Sequence, residues 1–335
     1  MAAPQIETPA DDLERLLTSF ETHYAWDYQN TKEGLRDLYE KAKRDQWNST
    51  TQLDWSTDVD PEKEIVSYPV DSLAGFPPYE KLDQRERVRL RHAEISLNLS
   101  QFLHGEQGAL IVASQLVGGV PWIEAKYYAG TQTMDEARHV EVFSRYLHEK
   151  LEWEWPINPA LKELLDAAIG DARWDFKYLA MQVLIEGLAM AAFGNMYQAA
   201  VEPLLKELLK YVMKDESRHV AFGILSLRGY YQDMPANELA DREDFVVYAS
   251  ELMRNRLLGV QIAEAMDWDV SEVQRQVLES ESGMRFRSML FMRVVPNLKK
   301  LGLLTPKVRE AFERLQILQF EDYDPEQSDR ELGFL

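Results

Sequence analysis

The chain has 335 residues, of which 45% are hydrophobic and 28% charged, the balance of an ordinary globular protein with a sizeable core. A formal net charge of −20 repels phosphate backbones and anionic lipid, so neither nucleic acid nor a membrane surface is an expected partner. Cysteine is absent, which excludes disulfides, thiolate metal sites and cysteine nucleophiles.

Residues 1–30 are polar and mixed, an irregular or partly helical lead-in. Their start, MAAPQIETPADDLERLL, lacks the basic and apolar regions of a signal peptide, so a cytoplasmic location is expected. A first helix fits TKEGLRDLYEKAKRD, and QWNSTTQLDWSTDVDPEKE reads as extended loop. After the turn signal GFPPYE a long helical run extends from about Gln84 to Val117 and is closed by Gly118 and Gly119. Pro121 opens the next run, to about Leu151, at a position helices accept. WEWPINP breaks the pattern, and helices follow over Ala160–Ile169, from Arg173 to about Ala200, and from Pro203 to about Tyr231. Further helical patterns fall near 237–265, 271–282, 284–302 (bent or ended near Pro296) and 305–317, before a loosely held tail, YDPEQSDRELGFL. No alternating β pattern is sustained, and no segment reaches the roughly 18 uninterrupted apolar residues of a membrane helix. The expected fold is all-α: one domain over 1–335, with a lead-in (1–83), a four-helix core bundle (84–231) and accessory helices (232–335).

Two nearly identical pentapeptides, DEARH at 135–139 and DESRH at 215–219, sit inside these helices. Glu136 and His139 are three residues apart and share one helix face, as do Glu216 and His219. Glu-x-x-His from each of two helices is half of a dinuclear carboxylate site, which also needs one Glu from each of two others. Glu106 and Glu186, both in apolar surroundings, lie thirty residues before Glu136 and Glu216, and the whole set repeats at an offset of eighty. Four carboxylates facing a core demand cations or protons, and four Glu with two neutral His neutralise two divalent ions. Oxygen and imidazole ligands suit iron or manganese. One Glu-x-x-His is common by chance as a surface pair; two, with matched upstream glutamates, are specific. Asp135 and Asp215 are placed to accept from the second nitrogen of a ligand His. Arg138 and Arg218 could pair with them or brace the helices, with surface ion pairing as the plainer alternative. His23, His92, His104 and His148 lack this spacing and are not expected ligands.

These motifs (Glu106, 135–139, Glu186, 215–219) resemble the ferritin-like dinuclear carboxylate proteins. That group includes bacterial multicomponent monooxygenase hydroxylases, ribonucleotide reductase small subunits, the related ligand-binding oxidases, and arylamine N-oxygenases. The D-E-x-R-H form in both halves is most like the monooxygenases, and LYEKAKRDQWNSTTQLDWSTD is similar to the segment preceding the bundle in reductase subunits and ligand-binding oxidases; the resemblance covers about residues 33–231. It implies a ferritin-like bundle and a non-haem diiron centre (Mn/Fe being possible) that activates O₂. Phe143 stands where reductase subunits carry their radical Tyr, and Glu106 where their first ligand is usually Asp. Gly108 and Met181 replace the Val and Tyr of the oxidase crosslink, Val212 replaces the third His of the N-oxygenases, and Met190 a Thr common in monooxygenases.

One or two turns from the ligands lie Phe102, Leu110, Ala113, Phe143, Met190 and Phe193, with Gln132 and Gln182 as polar contacts. Gly105, Gly108, Gly187, Ala189 and Ala192 leave either substrate space or close helix packing. The leading expectation is an oxygenase or oxidase acting on a mostly apolar small organic substrate. The alternatives are an arylamine N-oxygenase, or a non-catalytic iron- or ligand-binding protein, against which the ~100 residues after the bundle argue. No flavin or nicotinamide fingerprint is present, so an external donor such as a ferredoxin or reductase is expected, as is a homodimer. Trp47 and Trp55 are candidates for an electron path or for plain aromatic packing.

Overall fold

In a computed structural model, which describes residues 14–29, 31–68 and 71–331, the predicted helical runs become helices with identifiable stops and starts. The first, Glu33–Arg44 (α1), carries acid in its first turn and bases in its last, matching the helix dipole. Two single-turn helices follow, Ser49–Gln52 inside the stretch expected as extended loop and Pro77–Glu80 in the GFPPYE turn. The long helix Gln84–Gly119 (α2) begins at a capping box. Asp83 accepts from the Glu86 N–H at 2.8 Å, and the Glu86 carboxylate accepts from the Asp83 N–H at 2.8 Å. α2 includes Gly118 and Gly119 and ends at Val120. Ile123–Tyr146 (α3) therefore follows a three-residue bend, and Pro121 lies within that bend instead of opening the helix.

Pro159–Gly170 (α4) leads to a long helical run, Trp174–Ala199 (α5), whose stretch Leu179–Ile185 is wound as π-helix just before Glu186. α5 is long and apolar enough to cross a membrane, but most of it is buried within the protein, as a core helix should be. Pro203–Leu227 (α6) starts with Pro at its first position and Glu202 accepting from Leu204 and Leu205 N–H groups at 2.8 and 2.6 Å.

α2 packs along α3 and α5 along α6, each pair joined by a short connection that makes it antiparallel, and α1 lies across α3 and α6. The lead-in is strapped to this bundle: Ile65 O accepts from Val201 and Glu202 N–H groups, and Val66 bridges to Ala200. Among the described residues no strand forms beyond that bridge.

After the bundle come Ala236–Asn255 (α7), Val260–Ala265 (α8), Val270–Glu279 (α9), Glu281–Met289 (α10), Val294–Leu301 (α11) and Pro306–Arg314 (α12). Pro296 sits in the first turn of α11, where its missing N–H costs nothing; the break falls before it, at a 3₁₀ turn over Leu290–Met292. The described part of the tail is held: Pro325–Glu331 is helical, and its buried Asp329 accepts from Arg293 Nη1 at 2.9 Å. Residues 1–13 and 332–335 of the predicted lead-in and tail lie outside the described residues.

The π turn of α5 meets α6 at Gly223, where an added Cβ would stand 2.6 Å from Gln182 Cβ. Neither backbone can recede without disturbing the helices that carry Glu186 and His219. Gly223→Ala is expected to cost ~1–3 kcal/mol, and denaturant unfolding that finds it as stable as the wild type would contradict this packing.

Candidate metal centre

Each of the four bundle helices contributes inward-facing residues: Glu106 from α2, Glu136 and His139 from α3, Glu186 from α5, Glu216 and His219 from α6. All six are buried. Glu106, Glu136, His139 and Glu216 offer ligand atoms within 4.8 Å of one another, and Glu136, Glu186 and His219 form a second such group, so Glu136 is common to both. Both histidines turn Nδ1 toward the carboxylates. His139 Nδ1 lies 3.0 Å from Glu216 Oε1 and 3.3 Å from Glu106 Oε2; His219 Nδ1 lies 3.1 Å from Glu136 Oε1.

The opposite imidazole nitrogens meet the aspartates, and they do so across the bundle. His139 Nε2 is 3.1 Å from Asp215 Oδ2 and His219 Nε2 is 3.3 Å from Asp135 Oδ2. Each DExRH segment thus supplies the partner for the other segment's histidine. Arg138 ties the two together, donating to Asp135 Oδ1 at 2.6 Å and to Asp215 Oδ2 at 2.8 Å. Arg218 binds Asp215 in the same way and lies 3.6 Å from Asp135. Surface ion pairing is therefore the wrong description of these arginines, which are both buried.

Two further partners come from the chain beyond α1. Trp47 Nε1 donates to Asp215 Oδ2 at 2.7 Å, and Gln46 Nε2 donates to Asp135 Oδ1 at 2.9 Å while Gln46 Oε1 accepts from Arg138 Nη1. Trp47 had only a general aromatic signal in the sequence and Gln46 had none, because their contacts are made some ninety to 170 residues away. Trp55 takes no part; its indole donates to Ser49 O and lies under Arg145. The remaining histidines also bond elsewhere, His104 to Trp155 O for example.

The electrostatics follow from this crowding. Burial, then the charge of Glu216, push the Glu106 and Glu186 carboxyls well above the usual carboxylate range. Burial would lower both histidines, but carboxylates override it: Asp215 and the glutamates hold His139 high, and Glu136 and Glu216 hold His219 high. For Glu136 and Asp215 burial is outweighed the other way, by the histidines and, at Asp215, by Arg218 and Arg138, so both lie well below the usual range. Glu136 Oε2, Glu186 Oε2, both Glu216 oxygens and His219 Nδ1 are buried without a hydrogen-bond partner. Orphaned oxygens and an imidazole nitrogen converging on one space are a donor set that two divalent cations fit. Gln132 Nε2 donates to Glu136 Oε1 and Glu186 Oε1, both at 2.9 Å, fixing those carboxylates.

A cavity of about 830 Å³ reaches Glu106, Glu186 and Glu216 and runs out between the bundle and the C-terminal helices. Of the predicted pocket residues, Phe102 and Phe193 line it, in edge-to-face contact with ring centroids 4.5 Å apart. Phe143 stands behind them, 5.8 Å from Phe193 and fully buried. Leu110, Ala113, Gln182 and Met190 are not on the wall either: the last three are fully buried between helices, and Leu110 is half-buried elsewhere on α2. The small residues divide in the same way. Gly105, Ala189 and Ala192 line the cavity, whereas Gly108 and Gly187 admit Leu165 and Val294 in close packing. Met181, Ile185, Met196, Met253 and Leu290 are among the other apolar residues of the wall. Periodicity could not find these, because the π turn shifts the face of α5 and the last two lie after the bundle, in α7 and in the 3₁₀ turn that follows α10.

A bundle that gathers two Glu-x-x-His pairs and two further glutamates beside an apolar cavity defines the ferritin-like dinuclear carboxylate oxygenases. The family model described as P-aminobenzoate N-oxygenase AurF matches residues 28–302, and the chain belongs to that family. It is accordingly an oxidoreductase of the diiron oxygenase class, and the match extends past the bundle into the helices that wall the cavity. No curated protein matches it.

One cavity residue titrates near neutrality. Burial pushes Glu94 up to about 7 from its ordinary 4.5, although Arg91, 2.7 Å away, pulls it down. Between pH 4.5 and 7 the folded state then holds the extra proton, so the stabilising contribution is complete below 4.5 and lost as pH rises through 7. The stability of the wild type relative to Glu94→Gln should fall between pH 5 and pH 8 in denaturant titrations; a difference that stays flat, or rises, would contradict this assignment.

Proposed function

We propose that Glu106, Glu136, His139, Glu186, Glu216 and His219 hold two iron ions, and that the enzyme oxidises the nitrogen of an aromatic amine bound in the adjoining cavity. The carrying observation is the family match over 28–302, from a family described by N-oxygenation of p-aminobenzoate. The symmetric cluster opening through three glutamates onto an apolar cavity supports the same reading. The reaction would be R–NH₂ + O₂ + 2e⁻ + 2H⁺ → R–NHOH + H₂O, with the electrons from an external donor. Oxygen and nitrogen ligands would suit a mixed manganese–iron pair as well.

When bound, the metal pair supplies O₂ activation. The protein's part is to hold and exclude. Glu136, common to both ligand groups, would be shared between the two ions. The crossed Asp215–His139 and Asp135–His219 contacts fix ring orientation and tautomer, leaving each Nδ1 toward the glutamates that would hold the metals. Gln132 keeps Glu136 and Glu186 from swinging away, while Phe102 and Phe193 place an aromatic substrate and keep water out.

A second reading, hydroxylation at carbon, is favoured by one position. Val212, where the N-oxygenases resembled here carry a third histidine, is buried in the apolar core and offers no seventh ligand.

Anaerobic loading followed by metal analysis should give two irons per chain, and Glu136→Ala, lacking the shared carboxylate, should retain fewer than one; a Glu136→Ala protein that keeps both would sink the assignment. For the reaction, iron-loaded enzyme given O₂, a chemical reductant and p-aminobenzoate should yield the N-hydroxylated product. Ring-hydroxylated product alone would transfer the assignment to the second reading.

A further inference from the structure

The cavity wall carries four arginines, and their surroundings differ. Arg285 is exposed to solvent. Arg91 is fully engaged, by Asp71 at 2.6 Å and Glu94 at 2.7 Å. Arg287, on α10, and Arg256, just past α7, meet no carboxylate within 4 Å among the described residues, although Glu281 shares the same wall. Arg287 is only 1% exposed. Its Nε donates to Gly283 O at 3.2 Å and its Nη2 to Leu278 O at 3.4 Å, which fixes the guanidinium, while Nη1 is buried without a partner. Arg256 Nε is likewise buried and unpartnered, and burial draws this residue down to about 10. Arg254 adds a third positive charge felt at Arg287, and its Nε too is buried without a partner among the described residues.

Unpaired buried guanidinium groups are costly, and in a chain of net charge −20 carboxylates to pair them are plentiful. Backbone capping explains two of the Arg287 nitrogens. It leaves the third, and Arg256 Nε, unexplained. Both residues face the cavity that ends on the glutamate cluster, and a guanidinium fork is the group that matches a carboxylate in two-point contact. The cavity, at about 830 Å³, also has room for a molecule longer than a single ring.

We infer that Arg287, together with Arg256, binds the anionic end of the substrate, so that the enzyme selects elongated organic anions whose oxidisable end lies at the glutamates. These residues are specificity determinants supplied by the C-terminal helices; they do not touch the metals. The proposal rests on the reading above for which end reacts, and not for how the other end is held.

The test is equilibrium binding, by calorimetry on the iron-loaded full chain without reductant, of 4-(4-aminophenyl)butyrate against its neutral amide. The wild type should bind the carboxylate about tenfold or more tightly than the amide. Arg287→Met and Arg256→Met should each remove most of that preference by weakening the carboxylate while leaving the amide within about twofold, and Arg287→Lys should restore part of it. Arg256→Met, at a half-buried position with no side-chain hydrogen bond among the described residues, keeps the test open should Arg287→Met fold poorly. A wild type without preference for the anion, or variants that keep it, would overturn the proposal. Such a result would leave two irons per chain untouched, whereas failure of the metal assignment would appear as iron content below one with anion preference intact.

Discussion

Everything in this protein is organised around the burial of four glutamates between four helices. A carboxylate withdrawn from water without a counter-charge costs several kcal/mol, and here four are brought within reach of one another. Protons and two imidazolium rings can answer that cost, and so can two divalent cations. The high position of Glu106, Glu186 and both histidines marks the proton solution, and the unpartnered oxygens mark where metal would take its place. Coordination would then expel protons, coupling metal affinity to pH.

Such a cluster is stable only if its members cannot turn away. The crossed pairing achieves this: each histidine is held by the aspartate of the opposite segment, and Arg138 and Arg218 lock both aspartates. Gln46 and Trp47 close the lattice from outside the bundle. The result joins α3 to α6 through charge-assisted bonds rather than apolar packing alone, at the level along the helices where the core is interrupted by polar residues.

The substrate side obeys a different logic. The bundle alone ends in glutamates and a pair of phenylalanines; the volume beside them exists because the segment from α7 to the 3₁₀ turn after α10 stands off from it and lends Met253, Arg256, Arg287 and Leu290 to the wall. The π turn over Leu179–Ile185 contributes from the other side, since its wider winding re-aims Met181 and Ile185 relative to a regular helix. Charge at the far wall and carboxylates at the near one give the cavity a polarity that apolar lining by itself would lack.

The six candidate ligands were legible because helical geometry is local: a three-residue spacing places Glu and His on one face whatever surrounds them, and a thirty-residue offset repeated twice is hard to produce otherwise. The all-α character and nearly every helix were readable for the same reason, their caps and prolines lying in the sequence beside the turns they control. What failed was of another kind. Pro121 lies in a bend, the 325–331 segment is pinned by Arg293, and Phe143, Leu110, Ala113, Gln182 and Met190 do not line the cavity. Each of these depends on which distant element arrives at a position, and periodicity carries no information about that. By itself, then, the sequence determined the fold class and the residues that converge on the centre. Only the tertiary structure decided that the aspartates serve the opposite histidines, that Gln46 and Trp47 complete the lattice, and that C-terminal arginines face the cavity, because these are contacts between segments with no spacing in common.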